Sequence, residues 1–213
     1  VTVYSAVQSS SLFLDFKPDI VISNNDFSEA YEEWAKTISF PMNPPRELGW
    51  YQRKKSRYFD HYNQMVNEFS KIAGIDPFIM RVETEIFRDF DIGSEESREQ
   101  LAQKVDAFIA RLKADYQKRG MTENPFVFVK NNAGTYGLAV MKVEKGDDVR
   151  QWTYKSRKKM KAAKGGRDVE EVIIQEGIPS VVQSDGASAE LVIYMVGSHL
   201  AGGFLRTHGE KSA

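Results

Sequence analysis

A change of periodicity between Gly120 and Pro125 constrains this chain more than any other feature. Before it, Leu101, Val105, Phe108, Ile109 and Leu112 recur at helical spacing and draw one apolar stripe from about Ser97 to Tyr116. Ser97 and Gln100 fit a capping box at the start of that helix, and Gly120 stops it. After Pro125 the apolar residues come in short runs of strand length: Phe126–Val129, Leu138–Val143, Val172–Gln175, Leu191–Val196 and Leu200–Arg206. Gly197-Ser198 joins the last two as a hairpin turn. Such a chain is α+β, with mixed or antiparallel sheets and flanking helices. The expected division separates residues 1–122 from residues 123–213.

Shorter elements precede the change. Val1–Tyr4 and Asp19–Ser23 read as strands, the second running into Asn24-Asn25-Asp26. A helix is expected from Ser28, with Tyr31, Trp34 and Ala35 on one face. The prolines of Phe40–Pro45 argue against regular structure there, because each removes a donor and fixes φ. Phe59, Tyr62, Met65, Val66 and Phe69 set a further helix over Phe59–Ile72, ended by Gly74 and Pro77. In the second half, Asp147 is placed to cap a basic helix reaching about Lys164 and closed by Gly165-Gly166.

Charge and cysteine content narrow the function classes. Lys plus Arg total 29 against 30 Asp plus Glu, a net charge of -1, which argues against a general electrostatic grip on nucleic acid or anionic membrane. No apolar run approaches the roughly 20 residues that span a bilayer. The absence of cysteine excludes disulfides and thiolate chemistry and makes a cytoplasmic setting the default. His61, His199 and His208 lack metal-ligand spacing, and no metal ligand is nominated.

Three segments carry candidate chemistry. In Phe126–Val143 a lysine, Lys130, ends a strand; Asn131-Asn132-Ala133-Gly134-Thr135-Tyr136-Gly137 follows, and then a second strand. Glycines admit close backbone approach, so the loop's N–H groups can face phosphate oxygens while Lys130 adds a positive charge. The lysine precedes the glycines, so the loop is a flap and not a Walker loop. Taken alone, the same residues read first as a hairpin with a glycine-bearing turn and a surface lysine. In Val172–Ile178, Gln175 and Glu176 end an apolar strand ahead of Gly177, where an acidic group can accept from an adenine amine or ribose hydroxyls. Glu190 opens a later strand and Arg206 ends the next, where its planar fork suits a phosphate or acyl phosphate.

The order of these blocks resembles the ATP-grasp superfamily and, more closely, the proteobacterial glutamate–cysteine ligase family. Phe126–Gly137, Val172–Gly177, Ile193–Met195 and Gly202–His208 carry the resemblance, with Asn24–Ser28 and Gly49–Ser56 upstream. It implies an ATP-grasp-like fold and ATP-dependent joining of glutamate to cysteine through an acyl phosphate. ATP and Mg2+ are then the implied cofactors, and glutamate and cysteine the partners. Lys130, Gly134, Thr135, Tyr136, Gly137, Gln175, Glu176 and Glu190 would hold the nucleotide, with Arg206 as the catalytic cation. Arg53, Lys54 and Arg57 would take substrate carboxylates or phosphates. ATP-grasp enzymes complete the metal site on an acidic strand after the arginine, and the resemblance starts mid-protein; with a first residue other than Met, a partial enzyme is expected.

Two alternatives stay open. Another ATP-grasp ligase or a silent relative would share the phosphate site. A nucleic-acid module would use Arg53–Lys55 and Arg57 among Trp50, Tyr51, Tyr58 and Phe59, together with the basic run Lys155–Lys164.

Overall fold

The structure, a computed structural model, describes residues 19–23, 27, 39–133, 139–161 and 169–207. The expected strand Val1–Tyr4, the helix from Ser28, residues Gly134, Thr135, Tyr136 and Gly137, the helix end at Lys164 to Gly166, and His208 lie outside the described residues. Strand β1 (Val21–Ile22) pairs in parallel with β2 (Met42–Asn43). The proline-rich stretch therefore does hold a short strand: Val21 N donates to Pro41 O and Ser23 N to Asn43 O, bonds that need only carbonyls from this stretch.

Helix α1 (Lys55–Ala73) begins four residues before the expected Phe59 and ends at Gly74, which takes a left-handed φ of 67°. Its apolar stripe is only partly used: Val66 is buried, whereas Met65 and Phe69 are exposed. It packs beside β3 (Thr84–Arg88), where Tyr62 Oη donates to Met80 O at 2.8 Å and the Asn63 amide brackets Val82.

Helix α2 (Glu95–Lys118) starts at Ser94, whose side chain accepts from Ser97 N. This corrects the expected cap at Ser97, which is buried and instead accepts from Asp91 N. Strand β4 (Val127–Asn131), β5 (Val140–Val143) and β6 (Glu171–Glu176) join β3 in one antiparallel sheet of order β3-β6-β4-β5. The expected division between residues 122 and 123 passes between strands of this sheet.

Alternation decides which face each strand residue serves. Val127, Val129, Val172 and Ile174 point to the α2 side, where Leu101, Val105, Phe108 and Leu112 cover them. Each such side chain contributes about 1.5–3 kcal/mol by leaving water. The expected single basic helix is two, α3 (Gly146–Arg150) and α4 (Tyr154–Lys161). The break falls at Trp152, which is buried in this core against Phe90. Asp147 does not cap; its carboxylate pairs with Arg150, while Asp148 accepts from Glu144 N and Lys145 N.

A separate three-stranded sheet holds β7 (Gln183–Ser184), β8 (Ala187–Val196) and β9 (His199–Thr207) in that order. Its long hairpin carries exposed Leu191, Ile193, Met195 and Leu200. Among the described residues no helix is long and apolar enough to cross a membrane.

Candidate functional site

The α2-covered face of the sheet is mostly hydrocarbon, with Glu85 and Glu176 as its charged members; Lys130 stands on the opposite face. Phe128 and Lys130 of β4 point there, paired with Gln175 and Ile173 of β6. Lys130 Nζ donates to Gln175 Oε1 at 2.9 Å and sits 4.9 Å from the Phe128 ring centroid. No carboxylate pairs with it among the described residues, and burial holds its ammonium below the ordinary lysine range. Lys142 on β5 lies over the Phe126 ring and pairs with Glu144.

The first turn of α1 delivers a second cation to this region. Lys55 Nζ donates to Asn131 O at 2.6 Å, beside Lys130. Burial first, and then the charges of Lys130 and Arg53, push Lys55 down to about 8. Neighbouring like charges disfavour one another's charged form, a cost that a bound anion would relieve. Lys54 pairs instead with Glu171 Oε1 at 2.9 Å. Glu171 also takes Asn132 Nδ2 at 2.6 Å and Arg88 at 3.4 Å. Burial works to raise the Glu171 carboxyl, but Lys54, Asn132 and Arg88 outweigh it and hold the group below its usual range.

The candidates read from sequence thus separate into groups. Lys130 and Gln175 meet on the face away from α2. Glu176, one residue on, points to the α2 side, 5% exposed, with both oxygens engaged. Tyr116 Oη donates to its Oε1 at 2.8 Å, and Glu83 N to its Oε2 at 3.1 Å. Arg53 lies over the Trp50 ring at 4.6 Å, and Arg57 is exposed with no ion-pair partner among the described residues. Glu190 and Arg206 face one another across β8 and β9 and pair on the exposed hairpin. Arg206 therefore takes its partner from its own sheet and not from the four-stranded one. Glu171 escaped the reading of the sequence; Asn132 entered it only within the loop after Lys130, and Lys55 only within the Gly49–Ser56 block and the basic patch of the nucleic-acid alternative.

The family model described as glutamate-cysteine ligase (GshA) matches residues 5–213. The chain belongs to the glutamate–cysteine ligase family. A crystal structure provisionally named gamma-glutamylcysteine synthetase, from Methylobacillus flagellatus KT, is similar at 37% identity with a TM-score of 0.78. The match covers 93% of this chain and 47% of that one, so the chain spans about half the length of its solved relative. No curated protein matches. Among the described residues, no three His, Asp or Glu side chains converge to hold a metal ion.

Proposed function

We propose that this chain carries the phosphate end of an ATP site in an ATP-grasp ligase that joins glutamate to cysteine. The observation that carries the reading is that Lys55, from a segment far away in sequence, donates to the backbone oxygen of Asn131, next in the chain to Lys130, and feels the charge of Lys130, just ahead of Gly134–Gly137 in the sequence. The family and the solved relative supply the amino acids.

A carboxylate and an amine do not condense in water, since the leaving group would be oxide. In the proposed reaction the γ-carboxylate oxygen of glutamate attacks the terminal phosphorus of ATP, and ADP leaves. The amine of cysteine then attacks the acyl carbon, expels phosphate and gives up a proton. Little covalent chemistry falls to the protein; it positions the reactants and stabilises charge. Lys130 and Lys55 hold phosphate oxygens, and Gly134, Thr135, Tyr136 and Gly137 cover them with N–H donors. Gln175, on the same face as Lys130, contacts the nucleotide, while Glu176 braces the strand from behind. Arg57 takes a substrate carboxylate. Arg206 takes the transferred phosphoryl group by exchanging Glu190 for it. The described residues offer no cluster of three carboxylate or imidazole ligands for Mg2+.

Melting with and without Mg-ATP tests the site. A ligand at one hundred times its Kd stabilises by about 2.7 kcal/mol, and Lys130→Ala should remove that gain. No shift in the unaltered chain, together with no effect of Lys130→Ala, would end the proposal. Phosphate release that needs both glutamate and cysteine tests the substrates; release with another acid–amine pair would keep the ATP site and replace them.

A further inference from the structure

The first turn of α1 is capped from a segment 76 residues away. Helix N-termini leave amides without intrahelical partners, and the residue before the helix usually serves them. Here that residue is Lys54, which makes no side-chain cap. Asn132 takes its place. Its backbone oxygen accepts from Lys55 N at 2.9 Å, and its Oδ1 accepts from Ser56 N at 2.9 Å. Its Nδ2 donates to Ser56 Oγ at 2.9 Å and to Glu171 Oε1 at 2.6 Å. Its own N–H donates to Glu171 O at 3.1 Å. Every polar group of this 1% exposed residue is engaged.

Three successive residues thus do related work. Lys130 supplies a cation, Asn131 O anchors the Lys55 ammonium, and Asn132 fixes the helix that bears Lys55.

We propose that Asn132 is a positioning residue for the phosphate-facing cations: by capping α1 across the chain, it sets Lys55 beside Lys130. The inference rests on the ATP reading above. A residue that merely supported the fold would weaken nucleotide binding equally with or without the Lys55 charge.

Mg-ATP affinity in a double-mutant cycle of Asn132→Ala and Lys55→Met separates these roles. Each single change should weaken binding about tenfold, and the pair by no more than the larger single loss. Additive losses, about a hundredfold together, would overturn the proposal, as would unchanged affinity in Asn132→Ala. A second readout needs no nucleotide: the Lys55 ammonium, followed by NMR, should titrate higher in Asn132→Ala than its value of about 8. An unchanged midpoint overturns the role of Asn132 even if Mg-ATP binds. Should the unaltered chain bind no Mg-ATP, the phosphate reading falls and the titration still decides the positioning role. Asn132→Leu fills the buried space without hydrogen bonding, and the same results are expected from it if the alanine variant fails to melt cooperatively.

Discussion

Tyr116 donates its hydroxyl hydrogen to Glu176 Oε1 at 2.8 Å, tying α2 to the end of β6 on the mostly hydrocarbon face of the sheet. Burial, and then the hydrogen bond and charge of Glu176, push the Tyr116 hydroxyl well above its ordinary value. The segment before β3 joins the same clamp, because Glu83 N donates to the other carboxylate oxygen. Tyr116→Phe leaves a buried oxygen one donor short, a loss of about 1–3 kcal/mol. Urea unfolding should show that loss while Mg-ATP affinity holds. If Tyr116→Phe instead weakened Mg-ATP binding without moving the midpoint, Glu176 would belong to the nucleotide site.

Gln175 should behave in the opposite way. It accepts from Lys130 Nζ on the face away from α2 and braces nothing in the core. Gln175→Ala is expected to weaken Mg-ATP about three- to tenfold while shifting stability by under about 0.5 kcal/mol. Denaturation and binding measured on the same samples check both halves. A large stability loss with intact binding would place Gln175 in the scaffold.

This pair shows where the sequence stops being legible. Both residues end one apolar run, and the run itself was readable as a strand. Which of the two shares a face with Lys130 depends on pairing with β4, a tertiary fact. Strand β3 went unread for a related reason. Glu85 occupies an inward position, paired with Lys104 and Arg111 of α2, so the alternation is not apolar against polar. The stripe of α2 was plain because helix-period residues all meet one sheet face. Lys55 was invisible as an individual. Nothing in the local sequence distinguishes it from Lys54, and its low proton affinity arises first from burial and then from the charges of Lys130 and Arg53.

Lys55 also gives a pH signature whose sign follows from its shift. It titrates near 8 when folded, against an ordinary 10.5. Between those values the unfolded chain binds more protons at this site, so its contribution to stability rises with pH. Below the window the buried charge exerts its full cost; above it, both states are neutral. Nucleotide has the opposite demand, since phosphate favours the protonated amine. The melting temperature should therefore climb from pH 8 to 10.5 relative to Lys55→Met, while Mg-ATP affinity falls more steeply than in that variant. Lys130, also held low by burial, gives both proteins a shared slope. Equal slopes of affinity would remove Lys55 from the site.

Apolar side chains of one kind do different work in the two sheets. Ile174 is 0% exposed beneath α2, whereas Ile193 is 60% exposed and Leu191 is 68% exposed on the β8–β9 hairpin. The hairpin's register is held by backbone pairing from Ala189–Thr207 to Val196–His199, with an irregularity at Tyr194/Met195, and not by burial of these residues. Truncating a core isoleucine removes its transfer energy and leaves a cavity, so Ile174→Ala should cost about 2–5 kcal/mol. Ile193→Thr keeps β-branching on a wet surface and should move stability by under about 0.5 kcal/mol. Urea midpoints of the two variants, read with an unchanged m-value, check the contrast. A multi-kcal loss from Ile193→Thr would mean that this hairpin face is covered in solution.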